Sequence, residues 1–142
     1  SDSEEFRAVT SLTELFRDSD HLVLAMPLTE ETRGIVNAAV LAQSRPGLHL
    51  VNVARGALID QDALLEALEV GRPSFATLDV TTPEPLPEGH PFYAHPRVRL
   101  TPHVSWAGPE VRANLIQRIR VNLGRYLTGE PLLDTIDPVL GY

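Results

Sequence analysis

The chain has 142 residues, of which 43% are hydrophobic and 22% are charged, as expected for one globular domain. Twelve basic against nineteen acidic residues give a formal net charge of −7, which argues against binding to nucleic acid or an anionic membrane. No apolar run approaches the ~18 residues of a membrane span, and the N-terminus has no signal-peptide pattern. We therefore expect a soluble cytoplasmic protein.

Two residue types are missing from the sequence. There is no cysteine, which excludes thiolate nucleophiles, cysteine-bound metals and disulfides. There is no lysine either, since all twelve basic residues are arginine. This excludes Schiff-base chemistry on lysine and the phosphate-binding lysine of a P-loop.

Short apolar runs alternate with helical patterns along the chain. Four of these runs are Leu-rich or β-branched, which is typical of strands buried on both faces. The predicted strands are His21–Ala25, Leu48–Val53, Ser74–Val80 and Val98–Thr101. This alternation predicts an α/β fold, in which a parallel sheet has helices on both faces.

The predicted helices lie between and after these strands. Residues Thr29–Ser44 suit one or two short helical segments, with Asn37 as an internal cap. Asp60 caps a clearer helix, which Gly71 ends. The longest helix is predicted from about Pro109 to Leu127 with one apolar face. That face consists of Val111, Leu115, Ile119 and Leu123.

A long loop is predicted between the third and fourth strands, from Thr81 to Pro96. It contains five of the twelve prolines. A long, stiff loop inside an α/β domain is more often functional than idle. We therefore expect functional residues in this segment.

The residues that follow each predicted strand matter most, because open α/β sheets bind ligands outside the carboxyl ends of their strands. These positions hold Arg55, Asp79, Glu84 and His103. Taken singly, each has an ordinary explanation as a surface, turn or cap residue. Taken together, an arginine, two carboxylates and a histidine suit acid–base chemistry on a small anionic carbonyl compound. They include no obvious nucleophile and no metal-ligand spacing, so the chemistry is expected to belong to an organic cofactor.

Three segments occur in a recognisable order: PLTEETRGIVNAAVLA, VNVARGALIDQDALLEAL and LDVTTPEPLPEGHPFYAHPRVRLTPH. Together they strongly resemble the D-isomer-specific 2-hydroxyacid dehydrogenases, the family of phosphoglycerate dehydrogenase, glyoxylate/hydroxypyruvate reductase and D-lactate dehydrogenase. The resemblance implies a Rossmann-like parallel sheet, NAD or NADP as the cofactor, and hydride transfer between a 2-oxo acid and a D-2-hydroxy acid. It also implies a homodimer.

The resemblance implies a role for each matching residue. Arg55 matches the arginine that binds the substrate carboxylate and carbonyl. His103 matches the acid/base that protonates the carbonyl oxygen, and Glu84 matches the carboxylate that pairs with this histidine. Asp79 matches the acidic residue that holds the nicotinamide carboxamide. The positions lining the nicotinamide and its ribose are matched by Pro27, Thr32, Asn52, Val53 and Ala54.

The sequence departs from the family pattern in two places. Trp106 stands where many members have a small residue, and it either shapes the substrate pocket or packs under the long helix; packing is the favoured interpretation. The nine glycines include no G-x-G, so the Gly-rich turn that binds pyrophosphate has no match. By the resemblance, the chain starts after the domain's second strand, with the third strand around Phe6–Val9 and a helix over Ser11–Phe16.

We therefore expect an incomplete Rossmann-like sheet that lacks its first strands. Residues 1–128 are predicted to be the C-terminal part of an NAD(P)-binding domain, and residues 129–142 the return segment of a substrate domain. The predicted function is part of an NAD(P)-dependent D-2-hydroxyacid dehydrogenase. A non-catalytic dinucleotide-binding or regulatory module and an inert fragment of the parent enzyme remain as alternatives. The arginine, glutamate and histidine favour the enzyme, because a pure binding module has no need of them.

Overall fold

The computed structural model describes residues 8–137. The strand expected around Phe6–Val9 begins outside these residues, and Ala8 and Val9 are not part of a strand. The described residues divide into two compact units, the first ending at Pro102 and the second beginning at His103. The domain division at residue 128 stays a prediction.

The first unit contains a parallel sheet whose four strands follow one another in chain order. The strands are β1 (His21–Leu24), β2 (His49–Asn52), β3 (Phe75–Leu78) and β4 (Val98–Leu100). Each lies inside a segment predicted to be a strand and is one to three residues shorter. All four predicted strands are therefore confirmed.

The described part of the first unit contains three α-helices, and each begins at a side-chain cap. They are α1 (Leu12–Asp18), α2 (Ala38–Leu41) and α3 (Gln61–Glu69). Ser11, Asn37 and Asp60 accept hydrogen bonds from the backbone N–H groups of the first helical turns, as N-caps do. The caps predicted at Asn37 and Asp60 are confirmed. Gly71, with φ of +76°, follows the end of α3 as predicted.

The segment Thr29–Ser44 contains one short helix, which confirms the prediction of one or two short helical segments there. Only the four residues of α2 are helical there. The backbone N–H of Thr29 donates to the Thr32 hydroxyl at 2.7 Å, and that hydroxyl donates to the Pro27 carbonyl at 2.8 Å. Side-chain oxygens that bond the nearby backbone in this way compete with helix formation. The segment therefore folds as a turn before α2 begins.

The core of the first unit lies between its helices and one face of the sheet. Buried side chains alternate along the strands on this face: Leu22, Leu24, Leu50, Asn52, Ala76 and Leu78. The apolar members pack in one cluster with side chains of all three helices: Phe16, Leu41, Leu64 and Leu68. The alternate residues on the other face are half-buried or exposed. The sequence predicted helices on both faces of the sheet. In the described part of the first unit, the helices cover only one face.

The second unit contains α4 (Val111–Thr128), which begins at Val111 rather than at Pro109. Its predicted apolar face has helical spacing but is not packed, because Leu115, Ile119 and Leu123 are each more than half exposed. The tail after α4 is held by the Asn122 side chain, whose carbonyl oxygen accepts from the backbone N–H of Leu133 at 2.8 Å. Within residues 8–137, no helix has the length and apolar character needed to cross a membrane.

Candidate functional site

The turn after β2 is built by a buried asparagine. Asn52 is fully buried, its side-chain oxygen accepts from the backbone N–H of Ala54 at 3.1 Å, and its amide donates to the Arg55 carbonyl at 2.9 Å. An amide side chain offers both an acceptor and donors, so one residue closes the whole turn. The turn presents the exposed Arg55 at the carboxyl edge of the sheet, where one guanidinium N–H donates to the Ala54 carbonyl at 2.7 Å. Val53 is half-buried, and its N–H donates to the Leu24 carbonyl of β1 at 3.3 Å.

A buried carboxylate lies next to this turn. Asp79 directly follows β3, is 4% exposed, and donates its backbone N–H to the Asn52 carbonyl at 3.0 Å. Thr101, just after β4, donates its hydroxyl to Asp79 Oδ1 at 2.5 Å. A buried charge needs such partners to offset its lost hydration. Sequence reasoning missed Thr101, although it stands directly before the Pro102–His103 pair.

The loop after β1 carries the two other predicted cofactor residues. Pro27 is exposed and Thr32 is half-buried. The Thr32 hydroxyl also lies 3.2 Å from the Thr29 hydroxyl, in addition to its bond to the Pro27 carbonyl. The side chain of Thr32 therefore fixes the backbone conformation of the loop that contains Pro27.

Glu84 is exposed in the loop after β3, between two fixed points. On one side, the Thr82 N–H donates to Gln61 Oε1 at 2.9 Å, and Gln61 Nε2 donates to the Thr82 carbonyl at 2.5 Å. On the other side, Leu86 is buried and its carbonyl accepts from the Tyr93 hydroxyl at 3.0 Å. Sequence reasoning gave Gln61 no role, because its partner lies 21 residues further along the chain and leaves no local pattern.

Gly56 brings the Arg55 turn against the Glu84 loop. A Cβ at Gly56 would lie 2.1 Å from the carbonyl carbon of Thr81, so only glycine fits at this contact. Gly56 directly follows Arg55, and Thr81 directly precedes Thr82. The two segments that carry Arg55 and Glu84 are thus in backbone contact.

His103 is the first residue of the second unit. Its φ is +54°, a conformation that few residues other than glycine adopt. The indole N–H of Trp106 donates to the His103 carbonyl at 2.8 Å, which closes the turn that begins at His103. Trp106 is 65% exposed, so it is not packed under α4 within the second unit, contrary to the favoured interpretation of the sequence.

The predicted site residues fall into groups. One edge of the first unit brings together Asn52, Val53, Ala54, Arg55 and Asp79, and the neighbouring loops hold Pro27, Thr32 and Glu84. His103 belongs to the second unit. Among residues 8–137, no group of three or more histidine or acidic side chains could hold a metal ion.

Comparison with known proteins gives a family for this chain. The sequence profile of the family described as "D-isomer specific 2-hydroxyacid dehydrogenase, NAD binding domain" matches residues 1–105. Glyoxylate/hydroxypyruvate reductase A of Serratia proteamaculans is 42% identical over 121 residues, which are 85% of this chain and 38% of that protein. The protein of the same name from Klebsiella pneumoniae strain 342 is 37% identical over 139 residues, 98% of this chain and 44% of its own length. The chain thus spans less than half the length of these relatives.

Two solved structures have the same fold over most of this chain. A D-isomer specific 2-hydroxyacid dehydrogenase from Xanthobacter autotrophicus Py2, in complex with NADPH and MES, gives a TM-score of 0.83 at 41% identity over 92% of this chain and 42% of that one. An NADPH-dependent glyoxylate/hydroxypyruvate reductase from Sinorhizobium meliloti, in complex with NADP and sulfate, gives a TM-score of 0.83. It is 36% identical over 92% of this chain and 42% of that one. The parallel sheet of the first unit is thus the Rossmann-like sheet of these NAD(P)-binding domains. The chain therefore belongs to the D-isomer-specific 2-hydroxyacid dehydrogenase family, with residues 1–105 in the NAD-binding domain.

Proposed function

We propose that the protein containing this chain is an NAD(P)-dependent oxidoreductase that interconverts a small 2-oxo acid and its D-2-hydroxy acid. The observation that carries this proposal is the turn closed by Asn52, which presents Arg55 at the sheet edge beside the buried Asp79. The names of the relatives support glyoxylate or hydroxypyruvate as the substrate class.

The residues of the first unit fit the nicotinamide end of a dinucleotide. A carboxylate has about four acceptor positions, so Asp79 can accept from a carboxamide N–H as well as from Thr101. The turn of Pro27 and Thr32 and the backbone of Asn52–Ala54 would line the nicotinamide and its ribose. When bound, the dinucleotide supplies or accepts the hydride. The pyrophosphate end has no matching Gly-rich turn in these 142 residues, which contain no G-x-G.

Arg55 is proposed to bind and orient the substrate. A guanidinium carries five N–H donors and pairs with a carboxylate through two parallel hydrogen bonds. One donor of Arg55 is used by the Ala54 carbonyl, which sets the direction of the group. The other donors can hold the substrate carboxylate and polarise the carbonyl next to it.

His103 is proposed to move the proton. During reduction its imidazole donates a proton to the carbonyl oxygen, and during oxidation it takes the proton back from the hydroxyl. Glu84 is proposed to orient this imidazole. The positive φ of His103 supports a functional role, since uncommon backbone conformations cluster at active sites.

Alanine substitutions in the natural gene product test this proposal. Arg55→Ala and His103→Ala should each lower kcat/KM by about 10²–10⁴-fold, measured as NADPH and NADH oxidation with glyoxylate and with hydroxypyruvate. Arg45→Ala is the matched control, because Arg45 is bound to Asp20 at 2.9 Å and has no proposed role.

Two outcomes would count against the proposal. Near-normal turnover in both variants would contradict the assigned roles. Saturable NADPH binding by the wild type, without turnover of either acid, would instead indicate a non-catalytic dinucleotide-binding module. The homodimer implied by the family and the cytoplasmic location expected from the sequence are further proposals, which light scattering and cell fractionation of the gene product test.

A further inference from the structure

We propose that Gln61 is a positioning residue that holds the Glu84 loop in its working conformation, an inference that rests on the function proposed above. The primary amide of Gln61 pairs with both backbone polar groups of Thr82. This is the donor–acceptor pairing that a neighbouring strand would provide. A single side chain thus holds the backbone two residues before Glu84.

We call the two hydrogen bonds between the Gln61 amide and the Thr82 backbone the Gln61 clamp. Gln61 itself is held in place by its helix. Gln61 is the first residue of α3, directly after Asp60, whose carboxylate accepts from the Ala63 N–H at 3.1 Å. Leu64 and Leu68 anchor the same helix in the core with no exposed surface. The loop is therefore attached through Gln61 to a rigid element, which limits how far Thr82 can move.

The same loop is also held against the Arg55 turn. Gly56 leaves no room for a Cβ beside Thr81, so the backbone after Arg55 touches the backbone before Thr82. Contact alone sets a closest approach, whereas the two bonds of Gln61 prevent the loop from moving away. Together they set the spacing between the segments of Arg55 and Glu84.

Beyond Glu84, the loop is fixed by contacts that do not involve Gln61. Leu86 is 6% exposed, and its carbonyl accepts from the Tyr93 hydroxyl. Within the loop, the Thr81 hydroxyl also donates to the Pro83 carbonyl at 3.1 Å, a local bond that does not join the loop to α3. Removing the Gln61 amide therefore releases the link between the loop and α3, while the contacts of Leu86 remain. In an active site, a displacement of about 1 Å can cost up to about 10²-fold in rate, so the loss of this link is enough to affect catalysis.

The test uses two substitutions of Gln61 and one control in the natural gene product. Gln61→Met keeps the length of the side chain but removes its donor and acceptor. Gln61→Glu keeps an acceptor for the Thr82 N–H but places a carboxylate oxygen against the Thr82 carbonyl. Gln43→Met is the matched control, because Gln43 is exposed in the turn after α2. The midpoint of thermal unfolding should change little, since the Asp60 cap and the core residues of α3 remain.

The first readout is hydrogen exchange at the Thr82 amide, which needs no activity. Exchange should accelerate about fivefold to tenfold in Gln61→Met, as expected when one hydrogen bond is lost. It should change less in Gln61→Glu and not at all in Gln43→Met. Unchanged exchange in Gln61→Met would overturn the clamp itself.

The second readout is the separation of kcat from KM. Gln61→Met should lower kcat about tenfold to a hundredfold and leave KM within about twofold, because Arg55 still binds the substrate. Gln61→Glu should fall between Gln61→Met and the wild type, and it provides the test if Gln61→Met does not fold. Faster exchange with unchanged kcat would overturn the positioning role alone. A wild type without dehydrogenase activity would overturn the proposed function and this role together, while the exchange readout would still decide whether the clamp exists.

Discussion

Gly56 shows how a single residue limits the approach of two functional segments. Its missing Cβ allows the backbone after Arg55 to lie directly on Thr81. The sequence places this glycine next to the predicted arginine, but no local pattern shows that a backbone contact requires it. The requirement comes from a neighbour in another part of the chain, which only the folded structure identifies.

Gly56→Ala is expected to destabilise the protein by about 3 kcal/mol, because the new methyl group would overlap backbone atoms that cannot rotate away. Gly124→Ala is the control, since Gly124 lies inside α4 with nothing within 4 Å of its Cβ position. That substitution should stabilise the protein by up to about 1 kcal/mol, because alanine is the better helix former. The free energy of unfolding in urea measures both changes. Equal stabilities of the two variants would contradict the proposed overlap.

At the scale of secondary structure elements, both the strands and the helices of the described residues were largely predictable. The four strands form where the sequence predicts them, because short apolar runs bounded by turn residues have few other ways to be buried. The segment Thr29–Ser44 contains one short helix capped by Asn37, as predicted. The apolar spacing did not predict the turn before it, where the Thr32 hydroxyl bonds the backbone of Thr29 and Pro27. The clamp of Gln61 on Thr82 could not be predicted, since it joins the start of a helix to a distant loop.

A row of aromatic rings crosses the amino ends of three strands. His21 pairs in register with His49, and His49 pairs with Phe75. The ring centroids are 5.6 Å apart in the first pair and 5.3 Å in the second, both in edge-to-face geometry. Burial lowers the pKa of His49 below its ordinary value of 6.5, and the positive charges of His21 and Arg99 lower it further. His49 therefore resists protonation in the folded state.

The pH dependence of stability should reveal this lowered pKa. The pKa of His49 is lower in the folded state than in the unfolded state, so the unfolded state takes up its proton first as the pH falls. The contribution of His49 to stability is therefore complete above about pH 6.5 and is lost as the pH falls through the folded-state pKa. His49→Gln removes this titration and keeps a polar partner for the Thr77 hydroxyl, which lies 2.8 Å from His49 Nε2. Unfolding free energies measured from about pH 8 to about pH 5 should fall more steeply in the wild type than in the variant, and parallel curves would contradict the prediction.

At the scale of the whole molecule, sequence patterns identify surfaces but not their partners. The spacing of apolar residues predicts α4, yet Leu115, Ile119 and Leu123 are exposed in the second unit. Periodicity shows that a helix has one apolar face, but it does not show what covers that face. Similarly, the motifs that carry Arg55, Glu84 and His103 indicate a family of enzymes. They do not show how much of the enzyme is present, since the chain spans 38% to 46% of the length of the curated relatives.

The 142-residue chain alone is therefore expected to bind NADPH weakly, without saturation below about 1 mM, a dissociation constant that corresponds to about −4 kcal/mol. Tight binding of a dinucleotide depends on a Gly-rich turn and a helix N-terminus at the pyrophosphate, and the chain contains no G-x-G. Its net charge of −7 further opposes an anionic ligand. Titration followed by NADPH fluorescence, run in parallel on this chain and on the natural gene product, measures the difference. Micromolar binding by the chain alone would mean that the residues around Asp79 and Asn52, rather than a pyrophosphate turn, supply most of the affinity.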